Sequence, residues 1–300
     1  MGATEIVAAL GGRLRGGYGM VRCPAHNDHS PSLSIREGAD GKILVKCHAG
    51  CEQRAIITAL RGRGLWPEAA ANRTPLTPST QEQRRREWLQ QEREQERRAA
   101  FVERTWRQIW HTAAPACGSP IAMWLRARRI DPRKLDMDHL PLRWAAHCPL
   151  GKGMAPAMVA LMTDAITNEA TGIHRTFLFA DGTAKAFGKD SRKMLGRTGV
   201  IRLSPDEDVA EGLGISEGIE TGLCIMAAGW RPIWACGSLN ALTAFPVLGG
   251  IECLTVFADP KPHEVAGARA CAARWAKAGR EADVRTPLAG DWNDSLGIAA

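Results

Sequence analysis

Two sets of side chains in this 300-residue chain have types and spacings that could do chemistry. The first is Cys23-Pro24-Ala25-His26, followed after twenty residues by Cys47-His48-Ala49-Gly50-Cys51. Two short knuckles of soft and borderline ligands suit a closed tetrahedral zinc site. Between them, Ser32–Ile35 and Ile43–Lys46 alternate as two strands about the turn Ala39-Asp40-Gly41, the layout of a zinc ribbon with ligands at the ends of a hairpin. The second knuckle spaces its cysteines by three residues, so His48 also stands at a workable distance from Cys51. The expected ligands are Cys23, His26, Cys47 and Cys51, with His48 the other choice for the third place. A module of this size with so few large apolar residues has too little core to fold unaided. Zinc binding, on the order of 10 kcal/mol, makes up the deficit. Nine Lys/Arg against five Asp/Glu over residues 1–66 leave the module cationic even after three thiolates and a zinc ion are counted, so it can follow a phosphate backbone.

The second set is acidic. Glu217 closes Gly214-Ile-Ser-Glu-Gly218, Asp259 closes Leu254-Thr-Val-Phe-Ala-Asp259, and Asp291 and Asp294 lie in Gly290-Asp-Trp-Asn-Asp294. Each falls just beyond a predicted strand. In a parallel α/β sheet the carboxyl ends of the strands line one crevice, so these groups should converge there. Clustered carboxylates repel unless a cation sits among them, and hard oxygen ligands are what Mg²⁺ (or Mn²⁺) takes. Such an ion can orient a nucleoside triphosphate and neutralise charge on the displaced phosphate.

The elements that must position these groups follow from periodicity. From Gly212 the chain alternates short strands (213–216, 232–236, 253–258, 282–286) with helices (219–228, 239–245, 265–278), which implies a parallel sheet with helices on its faces. Residues 120–211 read as a mixed α+β region. It has a short helix over 120–129 and strands over 157–163 and 172–179, joined by a hairpin around Thr167–Thr171. Residues 67–80 look like a proline-rich linker. The Gln/Glu/Arg-rich stretch from Gln81 to Arg98 reads as an exposed helix that continues through Phe101, Trp106, Ile109 and Trp110. The expected organisation is therefore a ribbon (1–66), linker and charged helix (67–119), basic α+β subdomain (120–211) and parallel α/β sheet (212–300). Composition is that of a globular protein, 45% hydrophobic and 24% charged, and no apolar run is long enough to span a bilayer. The start of the chain has no basic n-region, which points to the cytoplasm. There the nine cysteines stay reduced, those outside the knuckles sitting mostly in apolar surroundings and reading as small core residues. The net charge of +7 favours a polyanionic partner without identifying it.

The motifs resemble a known family. Cys-Pro-x-His, then Ser30-Pro-Ser-Leu-Ser-Ile35 and a closing cysteine knuckle, look like the zinc ribbon of bacterial and phage primases. Ser216-Glu-Gly-Ile-Glu-Thr221 is similar to the first motif of the Toprim domain, Phe257-Ala-Asp259 to the start of its Asp-x-Asp motif, and Gly290–Asp294 to its closing acidic motif. The chain thus resembles zinc-ribbon plus Toprim DNA primases of phage or plasmid type. The resemblance implies RNA primer synthesis on single-stranded DNA from ribonucleoside triphosphates. It implies Glu217, Asp259 and Asp291 as catalytic residues, with Asp294 as a further ligand of Mg²⁺ or Mn²⁺. It departs from the pattern at Lys261, where the second aspartate of Asp-x-Asp would stand. If Pro260–Glu264 contains an insertion, Glu264 takes that role; if not, the metal is held more weakly or the site is degenerate. By place and type, Arg175, Lys185 and Lys193 are implied as phosphate- or DNA-binding groups. No Gly-x-x-x-x-Gly-Lys-Ser/Thr loop occurs, so the replicative helicase is expected as a separate partner. Rival readings are a Toprim nuclease and a single-stranded-DNA-binding accessory whose site has decayed at Lys261. A topoisomerase is poorly supported, because the single tyrosine, Tyr18, lies in a glycine-rich stretch near the ribbon.

Overall fold

Every second side chain of Ile43–Cys47 is buried, as expected of a strand with one face on a core. The computed structural model describes residues 2–14, 17–28, 30–38, 42–66 and 78–296. These fall into two units, Met1–Arg97 and Arg98–Ala300.

In the first unit, helix α1 (Ala3–Ala9) is followed by strands β1 (Tyr18–Val21), β2 (Leu33–Glu37) and β3 (Ile43–Cys47) and helix α2 (Gln53–Gly62). The strands form an antiparallel sheet in the order β1-β2-β3. The expected hairpin is β2-β3, and its turn at residues 39–41 lies outside the described residues. The sheet has a third strand, and the two helices supply more core than the sequence suggested. Ala3, Ile6 and Val7, spaced i, i+3, i+4, and Ile56 and Leu60, spaced i, i+4, are buried against Leu33, Ile35 and Val45. Both helices escaped the sequence reading, which followed the strand-like runs between the knuckles, although Ile56, Ile57 and Leu60 do stand at helical spacing.

Helix α3 (Pro78–Thr112) begins within the stretch read as linker, whose residues 67–77 lie outside the described ones, and it is a single helix through Trp106, Ile109 and Trp110. In the second unit it leads to β4 (Ala114–Pro115), α4 (Ile121–Ala127), β5 (Leu142–Leu150), β6 (Gly153–Thr163), β7 (Ala170–Phe177) and β8 (Arg192–Gly196). These strands form an antiparallel sheet in the order β4-β5-β6-β7-β8. The β6-β7 turn occupies residues 164–169, earlier than expected. Asp164 closes it by accepting the N–H groups of Ile166 and Thr167, both at 2.9 Å. The stretch 191–196, legible only as a basic segment, supplies strand β8. The pleat gives this sheet two cores: Ala157, Val159, Ile173 and Phe177 pack with Trp106 and Ile109 of α3, while Met158, Ala160 and Met162 face the other way.

The chain then alternates β9 (Gly212–Ser216), α5 (Ile219–Ala227), β10 (Ile233–Ala235), α6 (Leu239–Thr243), β11 (Cys253–Phe257), α7 (Pro262–Lys277), β12 (Glu281–Arg285) and α8 (Trp292–Leu296). Strands β10-β9-β11-β12 form an all-parallel sheet, as the alternation required. The carboxyl ends of β9 and β11 are adjacent in it, with Ser216 opposite Phe257. A bridge between Ile201 and Ala235 ties the segment after β8 to the edge of this sheet. The core on that side joins Met158, Ala160 and Met162 to Ile219, Leu223, Phe257 and Trp292. On the far face Phe245 stacks on Trp275 at 6.1 Å beneath α7. Among the described residues, no helix is long and apolar enough to cross a membrane.

Candidate active site and zinc centre

The four knuckle ligands come together. The ligand atoms of Cys23, His26, Cys47 and Cys51 all lie within 4.8 Å of one another, the spread a single tetrahedral ion can bridge. His48 is exposed and outside the group, so Cys47 fills the third place. Burial opposes ionisation of Cys47, but its contact with the Ser32 hydroxyl and hydrogen bonds from the N–H groups of Cys51 and Ala49 outweigh it and bring the thiol down to about 6. Burial first, and then the neighbouring Cys47, push Cys23 up to about 12. A second thiolate therefore needs a cation beside it, which three sulfurs and one imidazole are suited to hold.

Asp28, which the sequence reading passed over, organises this site. Its Oδ2 accepts the Cys23 N–H at 2.6 Å, the Ser32 hydroxyl at 2.6 Å and the Ser32 N–H at 3.2 Å, while Oδ1 accepts the Ser30 N–H at 3.2 Å. Those bonds outweigh burial and hold its carboxyl down at about 2. Nδ1 of His26 lies 3.1 Å from the Cys51 sulfur, and its Nε2 lies 3.7 Å from Asp28 Oδ1. Asp28 is thus placed to fix the ring that presents Nδ1 as ligand.

In the second unit a small polar cleft of about 160 Å³ opens at the carboxyl ends of β9 and β11. Glu217, Asp259, Glu264 and Asp291 line it, together with Glu220. Each is positioned by backbone that has little freedom. The Glu217 carbonyl accepts the Gly237 N–H at 2.7 Å. Ala258, next to Asp259, donates its N–H to Arg285 and accepts the Trp292 indole N–H at 3.1 Å. Asp291 and Asp294 cap α8 reciprocally, each side chain accepting the other's N–H. This turns Asp291 toward the cleft, and Asp294 stays exposed near Arg129 and does not line it. Burial, and then the charge of Glu264, raise the carboxyls of both Glu217 and Asp259.

Four cations face these acids: Arg128, Lys185, Arg192 and Lys261. Lys185 is carried on a hairpin pressed against the start of α4. At Gly182, φ is +75° and an added Cβ would stand 2.1 Å from the Pro120 carbonyl oxygen, so only glycine permits the approach. The Lys185 ammonium bonds to Glu220. Arg128 is shared between Glu220, 2.7 Å away, and Asp291, 3.5 Å away. Its carbonyl accepts the Asn293 amide at 2.6 Å. Lys261 donates to Glu264 at 2.7 Å and lies 4.0 Å from Asp259.

Two of the expected basic residues lie elsewhere. Arg175 is buried in β7 and its guanidinium donates to the carbonyls of Pro149 and Met194. Lys193 pairs with Asp190 at 2.9 Å and does not line the cleft. In β8 successive side chains take opposite faces, so Arg192 has the cleft and Lys193 does not. Beside these cations, His174 is buried with Nδ1 unpartnered. Burial first, then Arg192 and Lys185, lower it to about 4, so it stays neutral.

Residues 212–299 match the Toprim domain, and residues 100–202 match a domain described as "Domain of unknown function (DUF7146)". Nothing among curated proteins matches. Among solved structures, the chain is similar to the zinc-binding and RNA polymerase domains of the Aquifex aeolicus primase (12% identity, 96% of this chain, 78% of that one, TM-score 0.44). It is also similar to the primase fragment of the bacteriophage T7 primase-helicase protein (14% identity, 92% and 93%, TM-score 0.40). A third likeness is to a DNA primase domain from Pseudomonas aeruginosa (9% identity, 65% and 73%, TM-score 0.43). Likeness at this level says nothing about the reaction. The Toprim domain and the four-ligand cluster stand on the matched residues and on the site itself.

Proposed function

We propose that this chain is a DNA primase that makes short RNA primers on single-stranded DNA, in the service of a phage, plasmid or other mobile element. The observation that carries the reading is the cleft, where Glu217, Asp259 and Asp291 stand across from Arg128, Lys185 and Arg192. A metal–triphosphate complex needs both halves, carboxylates for the ion and cations for the phosphates.

The donor set fits a hard divalent ion. Glu217 and Asp259 are half-buried carboxyls whose ionisation is disfavoured without a cation, and they would hold Mg²⁺ or Mn²⁺. When bound, that ion supplies neutralising charge at the reacting phosphate. Arg128, Lys185 and Arg192 would orient the triphosphate, with phosphate oxygens competing against Glu220 for Arg128 and Lys185. In the reaction a strand 3′-hydroxyl oxygen bonds to the α-phosphorus, its proton passes to solvent, and the bond to the β-phosphate oxygen breaks to release pyrophosphate. The cationic ribbon, with zinc in its Cys₃His cluster, would engage the template, and a separate helicase would open the duplex. The amount of labelled oligoribonucleotide made on single-stranded DNA with Mg²⁺ tests this. Unsubstituted protein should make product, and Glu217→Ala should abolish it while leaving DNA binding nearly intact. Product that persists in Glu217→Ala removes the catalytic assignment.

Lys261 among the acids favours one second reading, a replication accessory that binds single-stranded DNA without synthesis. Retained DNA binding with no product from the unsubstituted chain would select it, and cleavage of the DNA would select a nuclease.

A further inference from the structure

The carboxylates of the cleft are not equally free. Glu220 is committed to Lys185 and Arg128, with its side chain 14% exposed. Glu264, 10% exposed, is committed to Lys261 at 2.7 Å, and His263 Nε2 lies 3.8 Å from the same oxygen. Asp291 has Arg128 at 3.5 Å. Among the described residues Glu217 has no ion pair, and Asp259 has only Lys261, 4.0 Å away. Five carboxylates against four cations leave the lining with one surplus negative charge. A single divalent ion more than cancels this, and a second would have to enter against an excess of positive charge.

From this distribution we infer that the Lys261 ammonium occupies one of the cleft's cation positions, so that the site accepts a single divalent ion, held between Glu217 and Asp259. Lys261 is the residue before the first turn of α7, and Pro262 starts that helix. The fixed φ of the proline holds the end of the loop. The lysine stem therefore leaves a defined point, and its ammonium reaches the buried Glu264 in that first turn. Glu264 keeps its acidic place in the cleft, but its charge is already answered by the chain itself. The tethered cation has two consequences. The acid cluster is tolerable in the metal-free protein, and a second ion can enter only if Lys261 swings away.

The inference rests on the cleft being a metal site, and the test separates the two. Mn²⁺ bound per chain is counted by electron paramagnetic resonance on the zinc-loaded full-length protein, with the Glu217→Gln/Asp259→Asn double variant as background. The unsubstituted protein should bind one equivalent above background. Lys261→Met, which keeps the stem and removes the charge, should bind two, and adding Glu264→Gln to it should return the count to one. Two equivalents in the unsubstituted protein, or one in folded Lys261→Met, would overturn the role of Lys261 and leave the metal site standing. No equivalent above background in either protein would overturn the metal site, and the role of Lys261 with it.

Discussion

Replacing Asp28 separates ligand chemistry from ligand orientation in the ribbon. The carboxylate accepts four hydrogen bonds within the loop joining Cys23 to β2 and faces the distal nitrogen of His26. Hydrogen bonds to a charged group contribute about 1.5–3 kcal/mol each, but these four serve one partly exposed loop and are not additive. Taking the worth of one or two of them, Asp28→Ala should cost about 3 kcal/mol of zinc binding, roughly 100-fold in affinity. Asp28→Asn keeps one carbonyl oxygen, which can serve the three donors now on Oδ2. Its amide then faces the Nε2–H of a zinc-bound His26, donor against donor. That variant should lose about tenfold, the lower end of the range for losing a partner of a metal-bound histidine. Competition with a chromophoric chelator near neutral pH measures both. Because hydrogen bonds depress the Asp28 carboxyl, its contribution is present above the ordinary value of 3.8 and is lost only as pH falls through about 2. Zinc released at milder acidity therefore reflects protonation of the ligands. Affinities of both variants indistinguishable from the unsubstituted protein would refute the assignment.

Three further outcomes follow from the second unit. Trp292, 7% exposed and packed edge-on to Phe257, anchors both Asp259 and Asp291, so Trp292→Ala should cost about 3–5 kcal/mol in urea denaturation and abolish metal binding in the cleft. Arg192→Ala should raise the KM for ribonucleoside triphosphates and Lys193→Ala should not, while Arg175→Ala should lower the denaturation midpoint by removing a buried side chain and the donors to two part-buried carbonyls, as titrations of the three variants would show. Glu217 and Asp259 have raised folded-state values, so they favour the metal-free fold fully below their ordinary values of 4.5 and 3.8. That contribution is lost as pH rises through the folded values. Melting temperatures against pH should show the loss without divalent ion and its reversal with Mn²⁺.

The readable parts of the molecule were those where chemistry restricts residue type. Thiols and imidazole at knuckle spacing mark Cys23, His26, Cys47 and Cys51, since few other roles call for that pattern. Acids that end apolar runs mark Glu217 and Asp259, since strand ends in a parallel sheet share an edge; Asp291 follows a few residues after the last strand, and the structure brings all three to one cleft. What was not legible depends on tertiary placement. Asp28 looks like any loop acid until its donors are seen around it. Arg128 meets Asp291 from 163 residues away, and no local pattern announces that. The choice between Arg192 and Lys193 is decided by the pleat of β8, which is invisible while the segment is read only as basic. Arg175 has the right type and neighbourhood, but its strand turns it into the interior, where backbone carbonyls consume its donors.

The most direct test of the central claim is calorimetric titration of a non-hydrolysable ribonucleoside triphosphate into the protein, with and without Mn²⁺. Tight binding should require the ion and should be lost both in Glu217→Gln and in the Lys185→Ala/Arg192→Ala double variant, since acids and bases act on opposite sides of one complex. Binding that is indifferent to Mn²⁺, or that survives both substitutions, would mean that the cleft does not hold a metal–triphosphate.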